Sequence, residues 1–203
     1  MNKTIENTIN ALNKNNINAR YFEDEMSAVE TLLNEISLND SIGIGGSMTI
    51  SQLDLPQILG KRGNKVYFHW LKTKPQDMDK ARLDASHADV YLTSTNALTQ
   101  KGQLVNIDGV GNRVSSMIFG PKKVFVVCGV NKIVKDIDDA LCRIKENAYK
   151  NARRLKLNTP CAITGKCNDC DSPQRMCNVI TIIEKKPNKT NIEVLLINKD
   201  LGY

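Results

Sequence analysis

Four of the six cysteines in this 203-residue chain, Cys161, Cys167, Cys170 and Cys177, fall within seventeen residues at the spacing C-x5-C-x2-C-x6-C. A C-x2-C pair lets two thiolates grip one metal from a tight turn, and two flanking cysteines can complete a tetrahedral set. Lys166 and Arg175 inside the loop, with Arg153, Arg154 and Lys156 just before it, favour thiolates and offset the charge of a bound centre. The segment is too polar to bury four cysteines as small hydrophobes, so a shared metal centre is expected. The paired C-x2-C knuckles usual for zinc are absent, and uneven spacing is commoner for a four-iron four-sulfur cluster, although thiolate ligands suit both. Cys128 and Cys142 lie in an apolar strand and a helix, where packing accounts for them.

A second set of residues suits anion chemistry. Gly43, Gly45 and Gly46 precede Ser47, Met48 and Thr49 where a strand should pass into a helix. Backbone N–H groups in such a turn can approach an anion. The run is neither G-x-G-x-x-G nor a Walker sequence, and a tight turn with Ser47 as helix cap fits it equally well. Further polar clusters each follow an expected strand: Thr93 to Asn96 after ADVYL, then Asn106, Asp108 and Asn112 within NIDGVGNR, then Asn131 and Lys132 after KKVFVVCGV. In an open parallel sheet the carboxyl ends of the strands share one edge, so these four loops should converge on one pocket. Within it Lys132 is the candidate fixed cation, Asp108 the candidate acid or base, and Asn106 a group to orient the ligand. The plainer alternatives are a helix-start residue for Lys132 and a turn residue before Gly109 for Asp108. His69 and His87 are isolated, and no Ser-His-Asp or Cys-His relay is visible.

The elements that must position these residues alternate between strands and helices. Helical spacing is present at residues 3–14, from about Ser27 to Ile36 with Met26, Val29, Leu33 and Ile36 on one face, from Met78 to Ser86, over GNRVSSMIF, and from Ile133 to Leu155. DSIGI, KVYFHW, ADVYLTS, GQLVNID and KKVFVVCGV read as strands. This alternation predicts an α/β domain over residues 1–203: a mostly parallel sheet with helices on both faces. Residues 159–178 lack periodicity and form a cysteine-rich loop. VITIIEKK and NIEVLLIN, separated by PNKT, then read as a hairpin extending one edge of the sheet.

Composition narrows the classes of function. Hydrophobic residues make up 41% and charged residues 25%, which excludes disordered and low-complexity scaffolds. No apolar run approaches the roughly 18 to 20 residues of a membrane span, and the first residues lack the apolar block of a secretory signal, so a cytoplasmic protein is expected. The net charge of +6 is uneven: residues 1–60 carry 3 Lys and Arg against 8 Asp and Glu, while residues 61–203 carry 25 against 14. Aromatic residues are only 5% and there is no block of like charges, so the basic part favours small anionic ligands over nucleic acid.

GIGGSMTISQLDL, ADVYLTSTNALTQKGQLVNIDGVGNRVSSMIFGPKKVFVVCGVNKIV and the loop CAITGKCNDCDSPQRMC together resemble the LUD domain family of lactate-utilisation proteins, once a domain of unknown function. The resemblance runs from about residue 5 to the final Leu-Gly-Tyr. It implies a fold similar to ribose-5-phosphate isomerase, glucosamine-6-phosphate deaminase and CoA transferases, with phosphate or carboxylate held at strand ends. By this resemblance Gly45, Gly46, Ser47 and Thr49 match the anion loop, and Asn96, Asn106, Asp108 and Lys132 match pocket positions. The family includes a subunit of an L-lactate oxidation system whose partner proteins carry iron-sulfur clusters; the cysteine loop departs from that subunit and suggests a stand-alone branch. Three functions follow. One is an oxidoreductase component acting on lactate or a similar 2-hydroxy acid, with an electron-transfer cluster and redox partner proteins. Another is a sugar-phosphate or acyl-CoA type enzyme with a structural metal. The third is a non-enzymatic regulatory module with a zinc loop.

Overall fold

β-Branched apolar runs supply the strands of the larger sheet, and a strand buried on both faces can afford almost no polar residue. In the computed structural model, which describes residues 1–203, that sheet has six parallel strands. Their order is β1 (Asn18–Phe22), β10 (Asn191–Ile197), β7 (Lys123–Gly129), β4 (Val90–Thr93), β2 (Ser41–Ile44) and β3 (Lys65–Phe68). One face is covered by α2 (Glu25–Glu35), α3 (Met48–Gln52) and α4 (Leu55–Arg62), through Ala28, Leu32, Ile50, Leu55 and Leu59. The other face meets α1 (Lys3–Lys14), α5 (Pro75–Ser86) and α6 (Asn112–Ile118) through Leu12, Ala85 and Met117. The parallel sheet with helices on both faces is therefore present.

A second sheet of four strands was not expected. It contains β8 (Ile133–Val134), β5 (Ala97–Thr99), β6 (Leu104–Asp108) and β9 (Val179–Ile183), in that order. Its side chains alternate: Leu98 and Leu104 join the core beneath the large sheet, while Ala97 and Val105 pack against Ala140 and Ile144 of α7 (Ile137–Arg154). Strands of two or three residues are too short to show this period in sequence.

Several expectations are corrected. The final two strands do not form a hairpin: β9 pairs antiparallel with β6 in the small sheet, while β10 inserts between β1 and β7 in the large one. The continuous burial of Ile192–Ile197 explains this, because an edge strand would leave one side of that run in water. Glu193, buried in β10, is held by Lys123 at 2.7 Å and by Arg20. The face of α2 is centred on Ala28, Leu32 and Ile36, and Met26 is 81% exposed. Ile133 belongs to β8, so α7 starts four residues later. Cys128 is buried in the core as expected, whereas Cys142 is exposed on α7. No helix is long and apolar enough to cross a membrane.

Candidate functional site

The carboxyl ends of β2, β4, β7 and β10 lie side by side in the sheet, and the segments that follow them border a cavity of about 400 Å³. Gly46, Ser47 and Thr49 come from the tip of β2, Ser94 to Asn96 from β4, Lys132 from the turn after β7, and Gly202 and Tyr203 from beyond β10. Asp108 lines the same cavity but arrives from β6 of the small sheet, not from the parallel sheet as expected.

Arg113, at the start of α6, organises these loops. Its Nε donates to Asp108 Oδ2 at 3.2 Å. One terminal amino group donates to Ser94 O at 3.1 Å and Asn106 Oδ1 at 2.7 Å, and the other to Asn96 Oδ1 at 2.9 Å and Ile107 O at 2.7 Å. All five N–H groups of the guanidinium are thereby used within the chain. Gly45 exists for this packing: a Cβ there would stand 2.9 Å from both Arg113 Cγ and the Tyr91 hydroxyl. Asp108 Oδ1 also accepts from the backbone N–H of Val110 (3.1 Å) and Gly111 (2.7 Å), so both carboxylate oxygens are engaged. The candidate acid or base is thus the anchor of a turn and of Arg113. Asn96 and Asn106 cross-link β5 and β6, with Ile107 N–H donating to Asn96 Oδ1 and Asn96 N–H to Asn106 Oδ1. Asn106 is fully buried behind the cavity wall. Arg113 went unnoticed in sequence; the only signal was an acid and a base five residues apart across a glycine turn.

Lys132 differs from Arg113. It is 3% exposed, in a single 3-10 turn and not at a helix start. Its Nζ donates to Ser94 Oγ at 2.8 Å and Thr49 Oγ1 at 3.0 Å, and no carboxylate pairs with it. Burial pushes its pKa down to about 8, with Arg143 and Arg113 adding to the fall and Cys128 opposing it. Arg143, from α7, donates to the backbone oxygens of Asn131, Asn96 and Tyr203, and its second amino group has no partner in the chain. Ser47 caps α3, its Oγ accepting from Ile50 N–H at 3.3 Å, as the capping alternative requires. His69 also borders the cavity; burial and the nearby Arg82 lower its pKa to about 4, so it is neutral at pH 7. His87 is exposed.

The charge balance of the cavity wall is one-sided. Arg82, Arg113, Lys132, Arg143, Arg154 and Arg175 line it, and Asp108 is its sole acidic side chain. Trp70 forms an apolar wall with the Arg154 guanidinium stacked 4.2 Å from its ring centre.

The cysteine loop closes the remaining side, with Cys161, Cys170 and Cys177 among the lining residues. Cys161 lies on a short helix, α8 (Pro160–Thr164), tied to α7 by Arg153, which donates to Ala162 O and Ile163 O. Arg175 donates to the carbonyls of Cys170 and Cys177 and pairs with Asp169. The hydrogen bonds of these arginines go to backbone, while the charge of Arg175 favours the Cys177 thiolate, as expected of it. Asn178 N–H donates to Asp108 O at 3.0 Å, and a Cβ on Gly109 would lie 3.1 Å from Met176 Cα, so the loop is seated directly on the Asp108 turn. All four loop thiols are free. Burial raises the pKa of Cys177; Arg175 opposes this, and nearby Cys167 and Cys170 add to it. No group of three or more His, Cys, Asp or Glu side chains is gathered in a form ready to hold a metal.

The LUD domain model matches residues 5–197. The chain belongs to the LUD domain family. A crystal structure of a DUF162 family protein from Deinococcus radiodurans shares the fold of this LUD domain, with a TM-score of 0.54 over 96% of each chain at 10% identity. No curated protein sequence matches it.

The buried Lys132 has a consequence for stability. An unfolded lysine titrates near about 10.4, whereas Lys132 in the folded chain titrates near 8. Between these pH values the unfolded chain holds the extra proton, so this group makes stability rise with pH. The stability difference between Lys132→Met and wild type, in the variant's favour, should shrink by on the order of 2 kcal/mol from pH 7 to pH 10. Urea denaturation at the two pH values measures it, and a difference that does not change with pH would contradict a depressed lysine.

Proposed function

We propose that this LUD domain binds a small carboxylate of the 2-hydroxy acid class, lactate being the simplest, as a component of lactate utilisation. The observation that carries this reading is the cavity wall with six cationic side chains and one acidic one, the latter already neutralised by Arg113; of the six, only Arg82 and Arg175 pair with other acidic side chains, Asp79 and Asp169. A buried ammonium without a counter-ion is costly, and an anion that enters beside it recovers much of that cost. Lys132 and the unpartnered amino group of Arg143 are free to receive it, as is one amino group of Arg154, whereas Arg113 is saturated. Asn96 and Asp108 hold Arg113, and through it the loop tips, in place. Thr49 and Ser94 keep the lysine from swinging away.

In calorimetric titration with L-lactate, Lys132→Met should weaken binding about ten- to a hundredfold, the value of a charge-assisted contact of about 1.5–3 kcal/mol. Unchanged affinity would remove Lys132 from the site. Inorganic phosphate as comparator separates a carboxylate site from a sugar-phosphate site.

The cysteine loop supports a second part of the reading, that Cys161, Cys167, Cys170 and Cys177 together take one metal centre, either a four-iron four-sulfur cluster or zinc. The donor set fits in kind: four free thiols on one loop, with Cys167, Cys170 and Cys177 near enough to influence one another electrostatically. They would have to draw together on binding. A bound cluster would supply one-electron transfer at the cavity wall, with a separate redox protein as its partner. Substituting any of the four by Ser should cut metal content sharply after anaerobic purification, while Cys142→Ser leaves it unchanged. Equal loss from Cys142→Ser would refute the assignment. Broad visible absorption indicates iron-sulfur, and a colourless protein with stoichiometric zinc indicates the alternative.

A further inference from the structure

Most buried lysines are neutralised by a carboxylate, and a lysine serving only to attract an anion needs no shelter from water. Lys132 has neither feature. Its Nζ is enclosed by Thr49 Oγ1 at 3.0 Å and Ser94 Oγ at 2.8 Å, and its third N–H position has no partner in the chain. Hydroxyls serve both protonation states: they accept from an ammonium and donate to the lone pair of a neutral amine. The charged groups that bear on Nζ are Arg143 and Arg113, both of which favour the neutral amine, and the buried Cys128 thiol, which opposes them. Gly202 packs close over Nζ, where a Cβ would stand 3.1 Å from it and 2.6 Å from Thr49 Oγ1, so only a glycine leaves any room beside the amine.

We propose that Lys132 is a nucleophile that forms an imine with the carbonyl carbon of a 2-oxo acid, the two-electron oxidation product of a 2-hydroxy acid. This rests on the carboxylate-binding reading above and extends it to the product. The neutral amine adds to the carbonyl, forming the C–N bond as the C=O π electrons pass to oxygen. The nitrogen gives up its protons through the Thr49 and Ser94 hydroxyls, and the carbinolamine oxygen leaves as water. Carbonyl and amine thus give imine and water, with no net oxidation, and hydrolysis returns both. Arg143 is placed to hold the carboxylate during addition. In the free protein the depressed pKa of Lys132 leaves part of it as neutral amine near pH 7 to 8, where exposed lysines remain protonated; since a carboxylate beside the amine favours the ammonium, the addition requires that Arg143 and not Lys132 take the carboxylate.

The test uses the purified full chain with pyruvate and sodium cyanoborohydride, which reduces an imine and leaves a stable carboxyethyl group on the lysine. Peptide mapping should place a single adduct on Lys132 at neutral pH. Its rate should rise with pH toward 8, and Lys132→Arg, which keeps the charge, should lose it at least tenfold while still binding pyruvate in calorimetry. Should Lys132→Arg fail to fold, the map of the wild-type protein decides alone. Saturable pyruvate binding with no adduct on Lys132, or labelling spread evenly over surface lysines, overturns the inference and leaves the binding reading standing. Absence of pyruvate binding while L-lactate still binds overturns the inference alone, and absence of binding by either acid overturns both.

Discussion

Burying the Arg113 guanidinium requires an acceptor for each of its five N–H groups, and the loops around the cavity are arranged so that each finds one. The acceptors come from the tip of β4, from β6 and from the turn that Asp108 caps, so one side chain fastens the small sheet to the large one. Leaving any of these polar atoms unpaired in the interior would cost about 1–3 kcal/mol each, more for the charged ones. The glycine at position 45 and the paired asparagines 96 and 106 follow from that requirement.

Because Arg113 is saturated, it contributes field and shape to the cavity but no hydrogen bond to a ligand. The contrast with Lys132 and Arg143 divides the labour. Arg113 is spent on holding loops, whereas these two retain unused N–H groups at the cavity. The seat of the cysteine loop on Asp108 and Gly109 connects it to the same scaffold, next to the turn that orients Arg113.

The parallel sheet and most of its helices were legible because their apolar runs are long and their periods clear. The position of β10 was not, since local sequence shows that a strand is buried on both faces but not which strands flank it. The small sheet escaped because β5 and β8 are three and two residues long. Thr49, Ser94, Asn96, Asp108 and Lys132 were legible as polar residues at strand ends, and the cavity brings them together. Their division into holders and free donors was not, because it depends on distances to Arg113, whose neighbours at Ser94 and Asn96 lie seventeen or more residues away in sequence. The glycine turn shows the same limit: Gly45 accommodates an arginine stem, a reason no motif could carry.

The central claim is that Lys132 is an unpaired buried cation awaiting an anion, and linkage tests it directly. If a carboxylate binds the charged form preferentially, its presence must raise the lysine pKa by as much as protonation strengthens binding. With lysine labelled at the ε carbon by 13C, NMR titration should give a Lys132 midpoint near 8 in the free protein and a clear upward shift under saturating L-lactate. A midpoint close to that of ordinary lysines, or one that lactate leaves in place, would contradict the account.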